Sequence, residues 1–543
     1  VYRLGVDEID PKDITKKFYF NPKRFKITRG KEFFVNGEVI FPKTSSVDVK
    51  RDGSYRTRMG ALVAIFALIY GNSNHNVRYA LRRLLSSRWP IISTMDEIYF
   101  AAQAKFIAQH ADVLLAMAAR YAEYFDKYDG MAHEAWIHAG DPHIKKDIRI
   151  AAQKTLEEDA TEFDRLWLKW VWYKMKKDEY ARFGKYPRMI GDLGVAASLQ
   201  GFRLTYLLKT AQASEPLVHH GVQIEFIKSP DPFILEETFR KLIDPPGKGY
   251  FCYFSDDSCA SMRDSSGKVH TFNVDISSCD ASHSTALFNC LLSLIPPSHR
   301  DDAKRLVEQC ELPIRVYDIG NRRQYVVITP DGPRLYSGST LTTAINGLAS
   351  MLIGIAIAES GACTAKDVRR AAARVGYVVT CDENSDYSKL QFLKNSPVYD
   401  TNGKLRPILN LGVLLRASGT CRGEAPLKGL SMKERFESFQ HGLLLGAYPH
   451  AQFRLLHNMK AMVQHATPTF TDEFVHKVAR NDAYPSFHVS DEELYKRYDL
   501  DTSGVADVNL LGFCGFEQEL GNPGLSKILK DDYGLSCRFL FQD

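Results

Sequence analysis

The sequence is short of several features that would each announce a class of protein. Its ten cysteines include no CxxC pair, and none has histidine neighbours at zinc-ligand spacing. That argues against a disulfide framework and for reduced thiols in a cytosolic compartment. No uninterrupted apolar run reaches bilayer length. The longest, Leu341 to Ala358, is broken by Thr342, Thr343, Asn346 and Ser350, and Met59 to Tyr70 is too short. Both read as buried helices, so no transmembrane segment is expected. The chain opens at Val1 on a polar stretch without a signal-peptide pattern, and the missing Met suggests a processed or excised product. There is no internal repeat and no low-complexity tract. Charge of one sign is also scarce: 70 Lys and Arg against 65 Asp and Glu leave +5.

What remains is an ordinary globular composition, 45% hydrophobic, 11% aromatic and 25% charged over 543 residues. At roughly 150 residues per unit this is about three to four folding units. The small net charge is local. Arg165 to Lys209 holds ten basic and three acidic residues, so the rest of the chain sums to −2. A phosphate-binding surface has this distribution.

Periodicity predicts helices over Met59–Tyr70, Val77–Leu84, Met95–His110 and Leu156–Lys176, then mixed loop and strand over 185–230, including a strand at Gly221–Lys228. A helix is expected over Pro232–Ile243, stopped by Asp244-Pro245-Pro246-Gly247. Strands follow at Gly249–Ser255, from Ser258, and at Lys268–Asp275. Helices are expected at Ala281–Leu294, Thr340–Glu359 and Lys366–Val375, with a hairpin in Arg315–Leu335 turning at Pro330-Asp331-Gly332. Gly376–Thr380, Leu390–Leu393 and Leu405–Leu411 read as strands, the last two joined through Asp400-Thr401-Asn402-Gly403. After Arg416 helix dominates.

The sharpest feature is Phe254-Ser255-Asp256-Asp257-Ser258 between two strand candidates. Adjacent aspartates at a hairpin tip repel one another, and without a cation that raises a carboxylate pKa. A solvated turn is the plain alternative. Eighteen residues on, Phe272-Asn273-Val274-Asp275 ends a strand, and Asp280 follows at D-x4-D spacing. Two carboxylate sets on neighbouring strands suit hard cations, and Mg²⁺ takes one or two carboxylates plus substrate phosphates. A pair of such ions serves in-line phosphoryl displacement. Next comes S-G-x3-T-x3-N, Ser337-Gly338 through Thr342 to Asn346, whose last two polar residues share a helical face that could read a sugar hydroxyl. A capped core helix is the alternative there. Finally, Lys176 to Ile190 interleaves basic residues with aromatics, as phosphate and base contacts require.

Together these pieces resemble the motifs of viral RNA-dependent RNA polymerases over roughly 140–400. Asp275 and Asp280 are similar to motif A. Ser337, Gly338, Thr342 and Asn346 are similar to motif B. Ser255-Asp256-Asp257 is similar to motif C, with Ser for the usual Gly. Gly376–Thr380 resembles motif D, Phe392-Leu393-Lys394 motif E, the Lys177-Asp178-Glu179 start with Lys185 and Arg188 the basic motif F, and Ala139-Gly140-Asp141-Pro142 motif G beside the template path. The order is C-A-B. That permuted palm is similar to permutotetraviruses and, more distantly, to birnaviruses.

The resemblance implies an α+β right hand: an N-terminal arm or cover (1–60), fingers (61–245), a palm with an antiparallel sheet (246–400, with 281–336 partly projecting into the fingers) and a helical thumb (401–543). It implies template-directed RNA synthesis in viral genome replication and transcription. Asp256, Asp257 and Asp275 would hold two Mg²⁺ (or Mn²⁺) ions. Asp280, Ser337, Gly338, Thr342 and Asn346 would surround the ribose. Arg182, Lys185 and Arg188 would clamp the triphosphate, and Gly140 and Lys394 would contact template and primer. Partners would be an RNA template, a primer or protein primer, nucleoside triphosphates and other viral proteins, in the host cytoplasm as a replication complex or virion-associated. Lys389 sits too late to be expected as general acid. Trp167, Trp170 and Trp172 are expected to pack a helix, and His219-His220 to lie in a loop. Two other functions compete: a reverse transcriptase-like polymerase, and a non-catalytic single-stranded RNA-binding protein. The single spatial requirement is that Asp256 and Asp275 meet.

Overall fold

The computed structural model describes residues 24–35, 38–39, 66–68, 81, 83–84, 92–137, 170–175, 180–182, 188–317, 324–417, 434, 437, 441, 484–509 and 523–533. Its centre is a six-stranded sheet: β1 (Leu217–His219), β2 (Val222–Phe226), β3 (Gly249–Phe254), β4 (Asp257–Arg263), β5 (Val269–Ile276) and β6 (Val379–Glu383). Spatial order follows chain order. All neighbours are antiparallel except β2 and β3. A parallel pair needs a crossover, and helix Pro232–Ile243 supplies it. Asp231 caps that helix by accepting from the Ile234 N–H at 2.8 Å, with Pro232 at its first position.

Strand β3, Gly-Tyr-Phe-Cys-Tyr-Phe, is a continuous apolar run because both its faces are covered. On one face Tyr250 and Cys252 pack with Leu235, Phe239 and Leu242 of the crossover helix. On the other, Phe251 and Tyr253 meet helix Thr342–Ser360. The approach is close enough that a Cβ on Gly354 would lie 2.7 Å from the Phe251 ring. This helix is long and apolar enough to cross a membrane by composition, yet every residue from Ala344 to Ala358 is buried in protein. It is the core helix of the fold.

A five-stranded sheet lies alongside, in the order Phe25–Arg29, Tyr325–Pro330, Ile314–Tyr317, Val171–Met175, Met189–Asp192. Strand Phe25–Arg29 thus forms one edge, and Arg24 donates to the Ala281 carbonyl in the loop after β5. Toward the C-terminus, hairpin Asn395–Tyr399/Leu405–Leu409 precedes helices Asp491–Tyr498, Thr502–Asn509 and Pro523–Tyr533. A fully buried Arg497–Asp532 pair at 2.8 Å ties two of these together. Asp532 also accepts from Tyr498 and from the Gly412 N–H, so its charge is compensated three times.

Several expectations need correcting. Residues 66–68, inside the expected Met59–Tyr70 helix, form a strand paired with Tyr180–Arg182. Val171–Met175, inside the expected Leu156–Lys176 helix, is a strand, so Trp172 packs a sheet: alternating Val-Trp-Tyr suits a half-buried strand and was masked by nearby helical spacing. Trp170 lies under the Arg315 guanidinium at 3.6 Å. Gly194–Ser214 is a helix where loop and strand were expected; it is apolar nearly all round and shows no amphipathic stripe. The helix expected over Ala281–Leu294 runs from Thr285 to Leu294 and stops before Pro296-Pro297. A further helix, Pro297–Gln309, not expected from the sequence, begins there because proline is tolerated at a first helical position. The hairpin strands Ile314–Tyr317 and Tyr325–Pro330 place Pro330-Asp331-Gly332 after the second strand, not at the turn. Leu390–Leu393 is not a strand; the partner of Leu405–Leu409 is Asn395–Tyr399. The seven described cysteines are free thiols.

Candidate active site

The β3–β4 hairpin closes on a two-residue turn, Ser255-Asp256, between paired Phe254 and Asp257. Ser255 sits at φ 55°. That is the left-handed region glycine favours, which gives Ser255 a strain to carry. Its carbonyl accepts from the Ser350 hydroxyl at 2.7 Å, so the core helix holds the turn. Across the next ladder Asp257 faces Asp275. Directly opposed residues share a sheet face with Cβ atoms about 4.5–5.5 Å apart. The structure therefore brings Asp256, Asp257 and Asp275 together at one end of the β4–β5 pair, although 18 residues separate the last two in the chain.

A second contact set organises Asp257. Asn273, two residues before Asp275, accepts from the Gln391 N–H at 3.1 Å and donates to the Lys389 carbonyl at 2.9 Å. This anchors a tight turn, Phe392 to Asn395, in which Leu393 (φ 51°) and Lys394 (φ 66°) are both left-handed, as a primed hairpin turn demands. The turn aims the Leu393 N–H at Asp257 Oδ2, 2.9 Å away. Asp257 is nonetheless pushed up to about 7. Burial is the main cause, and Asp256 and Asp275 add to it against the Leu393 bond and the Lys394 charge. Asp256 is also raised, by burial and then by Asp280, against a backbone hydrogen bond and Arg188. Carboxylates crowded past what Arg188 and Lys394 can offset are what a divalent-cation site looks like electrostatically, and the all-oxygen donor set fits Mg²⁺ or Mn²⁺.

Asp280 lies on a single 3-10 turn, Cys279–Ser282, behind the end of β5. Its Oδ1 accepts from Asn346 Nδ2 at 3.1 Å. The orientation of that buried amide is fixed from the other side. His283 Nε2 donates to Asn346 Oδ1 at 2.7 Å, Cys279 Sγ reaches the same oxygen at 3.3 Å, and His283 Nδ1 lies 2.8 Å from the Tyr377 hydroxyl. Burial holds the His283 ring neutral, with its pKa lowered to about 4. A neutral ring bearing its proton on Nε2 satisfies both contacts.

The glycine of S-G-x3-T-x3-N is required. Gly338 adopts φ 105°, and a Cβ there would lie 2.3 Å from the Gly191 carbonyl oxygen. The Gly191 N–H donates to the Ser337 carbonyl at 2.7 Å. The loop is therefore stitched to strand Met189–Asp192, which follows Arg188. Thr342 spends its hydroxyl on the Ser339 carbonyl at 2.8 Å, closing the turn into the helix. Lys389 reaches Asp499 at 2.9 Å and Asp531 at 3.4 Å, which commits it to the C-terminal region. Arg182 ends strand Tyr180–Arg182. Gly140, Lys185 and Trp167 lie outside the described residues.

The sequence reading missed His283, Tyr377, Ser350 and the Leu393 N–H. No local pattern marks them, since each acts on a partner 63 to 136 positions away. Only the helix-start position of His283 after Asp280 could have drawn attention.

No protein-family model and no curated protein matches the chain. Solved structures similar in fold include a birnavirus VP1–VP3 complex, at 12% identity and TM-score 0.42 over 70% of this chain and 63% of that one. Another is the RNA polymerase VP1 from Infectious Pancreatic Necrosis Virus, at 12% identity and TM-score 0.44 over 79% of this chain and 60% of that one. The chain thus spans less than two thirds of either structure. Its chemistry is read from its own residues.

Proposed function

We propose that this chain is an RNA-directed RNA polymerase of viral type, with a permuted palm, acting by two-metal nucleotidyl transfer. The observation that carries the reading is the facing of Asp257 and Asp275 across one ladder, with Asp256 in the adjoining turn and the Asp280–Asn346 pair just beyond.

Asp256 and Asp275, with Asp257 assisting, would hold two Mg²⁺ (or Mn²⁺) ions. When bound, these supply activation of a primer 3′-hydroxyl and charge neutralisation on the triphosphate. Asp280, Ser337 and Asn346 would hydrogen-bond the ribose 2′-hydroxyl. A deoxyribose offers none of these groups that further bond, which selects ribonucleotides. His283 presets the Asn346 amide so that its Nδ2 points at Asp280 before substrate arrives. Arg188 supplies positive charge next to Asp256, with Lys185 and Arg182 as further phosphate ligands. Lys394 contacts the primer backbone, and Gly140 lies on the template path. RNA template, primer, nucleoside triphosphates and viral partner proteins belong to this reading, as does a replication complex in the host cytoplasm.

The test is nucleotide incorporation on a homopolymer RNA template, with and without Mg²⁺, by the wild type and by Asp256→Asn and Asp275→Asn. Loss of incorporation in both folded variants is expected. Retained synthesis in Asp275→Asn overturns the assignment. Unchanged RNA binding with no synthesis in the wild type would favour a binding protein. Preference for deoxynucleotides would favour a reverse transcriptase.

A further inference from the structure

A second constellation lies at the far end of the core helix. Glu359 follows Asn346 by 13 residues in the same helix, about 20 Å at 1.5 Å per residue. His110 sits at the junction of helices Ile92–Gln109 and Ala111–Ile137, and His219 ends β1. A ligand atom from each of the three lies within 4.8 Å of the others. His219 Nε2 is 3.0 Å from Glu359 Oε1, and His110 Nε2 makes a short contact with the same oxygen.

The hydrogen bonds around this cluster limit what can sit in it. His110 Nδ1 is 2.7 Å from the Phe106 carbonyl, which accepts only, so Nδ1 carries the proton. Phe106 also stacks on the His110 ring at 4.0 Å. In a neutral ring, Nε2 then presents a lone pair to a carboxylate oxygen, which is an acceptor as well. Two lone pairs in contact require a cation between them: a proton on the ring, or a metal ion shared by the three groups. A backbone carbonyl holding Nδ1–H while Nε2 faces inward is the usual arrangement around a metal-bound histidine. Glu359 Oε2 accepts from Arg374 at 3.2 Å, leaving Oε1 as a single inward donor. The Arg374 side chain is 46% exposed, so water screens its charge.

We propose that His110, His219 and Glu359 form a Zn²⁺ site. Two imidazoles and one carboxylate suit zinc better than magnesium, which prefers oxygen alone. A water completes four-coordination. The ion joins a helix–helix junction, the edge strand of the central sheet and the last turn of the core helix, and so fixes the end of that helix remote from Asn346. This site stands independently of the polymerase reading.

The experiment uses the full chain, purified without an affinity tag or chelating column, exposed to ZnCl₂ and freed of excess by gel filtration. Metal analysis is expected to find close to one zinc per chain in the wild type and in Asp256→Asn/Asp275→Asn. Occupancy should fall at least tenfold in His219→Gln. Zinc should raise the melting temperature of the wild type and leave that of His219→Gln unmoved. X-ray absorption at the zinc edge of the wild type, which needs no variant to fold, should show two imidazole nitrogens. A zinc-free wild type, equal zinc in His219→Gln, zinc lost only from the aspartate variant, or an oxygen-only shell would each overturn the proposal. The first of these outcomes would leave protonated histidines as the cation.

Discussion

The two ends of the β4–β5 pair carry the same kinds of side chain and treat them in opposite ways. At one end Asp257 faces Asp275 beside Asp256; Asp257 is raised by burial and then by Asp256 and Asp275, and Asp256 by burial and then by Asp280. At the other end, Asp264, just past β4 and seven residues after Asp257, and Glu383 of β6 grip His270 from both sides, each at 2.8 Å. There Asp264 is held well below the usual carboxylate range, first by its bond to Ser266 and then by His270, and His270 is raised by its two acids. The hairpin scaffold is common to both ends, so the backbone does not set the difference. One end supplies its own counter-charge; the other leaves carboxylates crowded until a cation from outside joins them. Stability favours the first arrangement, and a cation-dependent site needs the second.

The largest effect expected from breaking this contrast is on catalysis. Asp275→Asn should lower nucleotide incorporation by at least about 10³-fold, roughly 4 kcal/mol of barrier, while Glu383→Gln at the clasped end leaves the rate within about threefold. Steady-state incorporation assays on both variants check it. Next is stability. In chelator at about pH 8, Asp257→Asn should raise the melting temperature, because the folded-state pKa lies above the unfolded value and burying the charge costs on the order of 2–4 kcal/mol. The sign follows from proton uptake: the native state holds the extra proton between the two pKa values, so the wild type loses stability as pH rises from about 4 to 7, and the variant does not. Melting curves across that range test it.

A smaller effect is expected behind the site. His283→Gln should reduce the preference for ribonucleotides over deoxyribonucleotides by about tenfold, roughly 1.4 kcal/mol, by releasing the Asn346 amide. Competition between the two substrates measures it, and an unchanged ratio would show that Asp280 alone holds Asn346. The smallest is at the clasp. His270 has a raised folded pKa, so its contribution is fully present below about pH 6.5 and is lost as pH rises through the folded value. Wild type should therefore melt above His270→Gln near pH 6, and the gap should close under alkaline conditions.

How much of this was legible in the sequence depends on the reach of each interaction. The hairpin tip and its strands were readable because apolar alternation and turn chemistry act over a few residues. The pairing of β4 with β5 followed, since a short Asp264–Lys268 connection leaves the strands little choice. The strand at Val171–Met175 and the helix at Gly194–Ser214 were misread, because partners elsewhere cover their faces and local pattern gives way to tertiary packing. The Phe392–Asn395 turn escaped for a similar reason: its two left-handed residues are not glycine, and Asn273 anchors the segment from another strand.

By itself the sequence determined which residue types stand at strand ends and helix starts, and hence that oxygen ligands, a glycine entry and a basic strip exist. The tertiary structure alone decided that Asp257 accepts from the Leu393 N–H, that His283 and Tyr377 fix Asn346, and that two distant histidines meet Glu359. Local torsional and hydrophobic preferences are written into neighbouring residues. Electrostatic environment and hydrogen-bond partnership come from chain segments that only folding brings together.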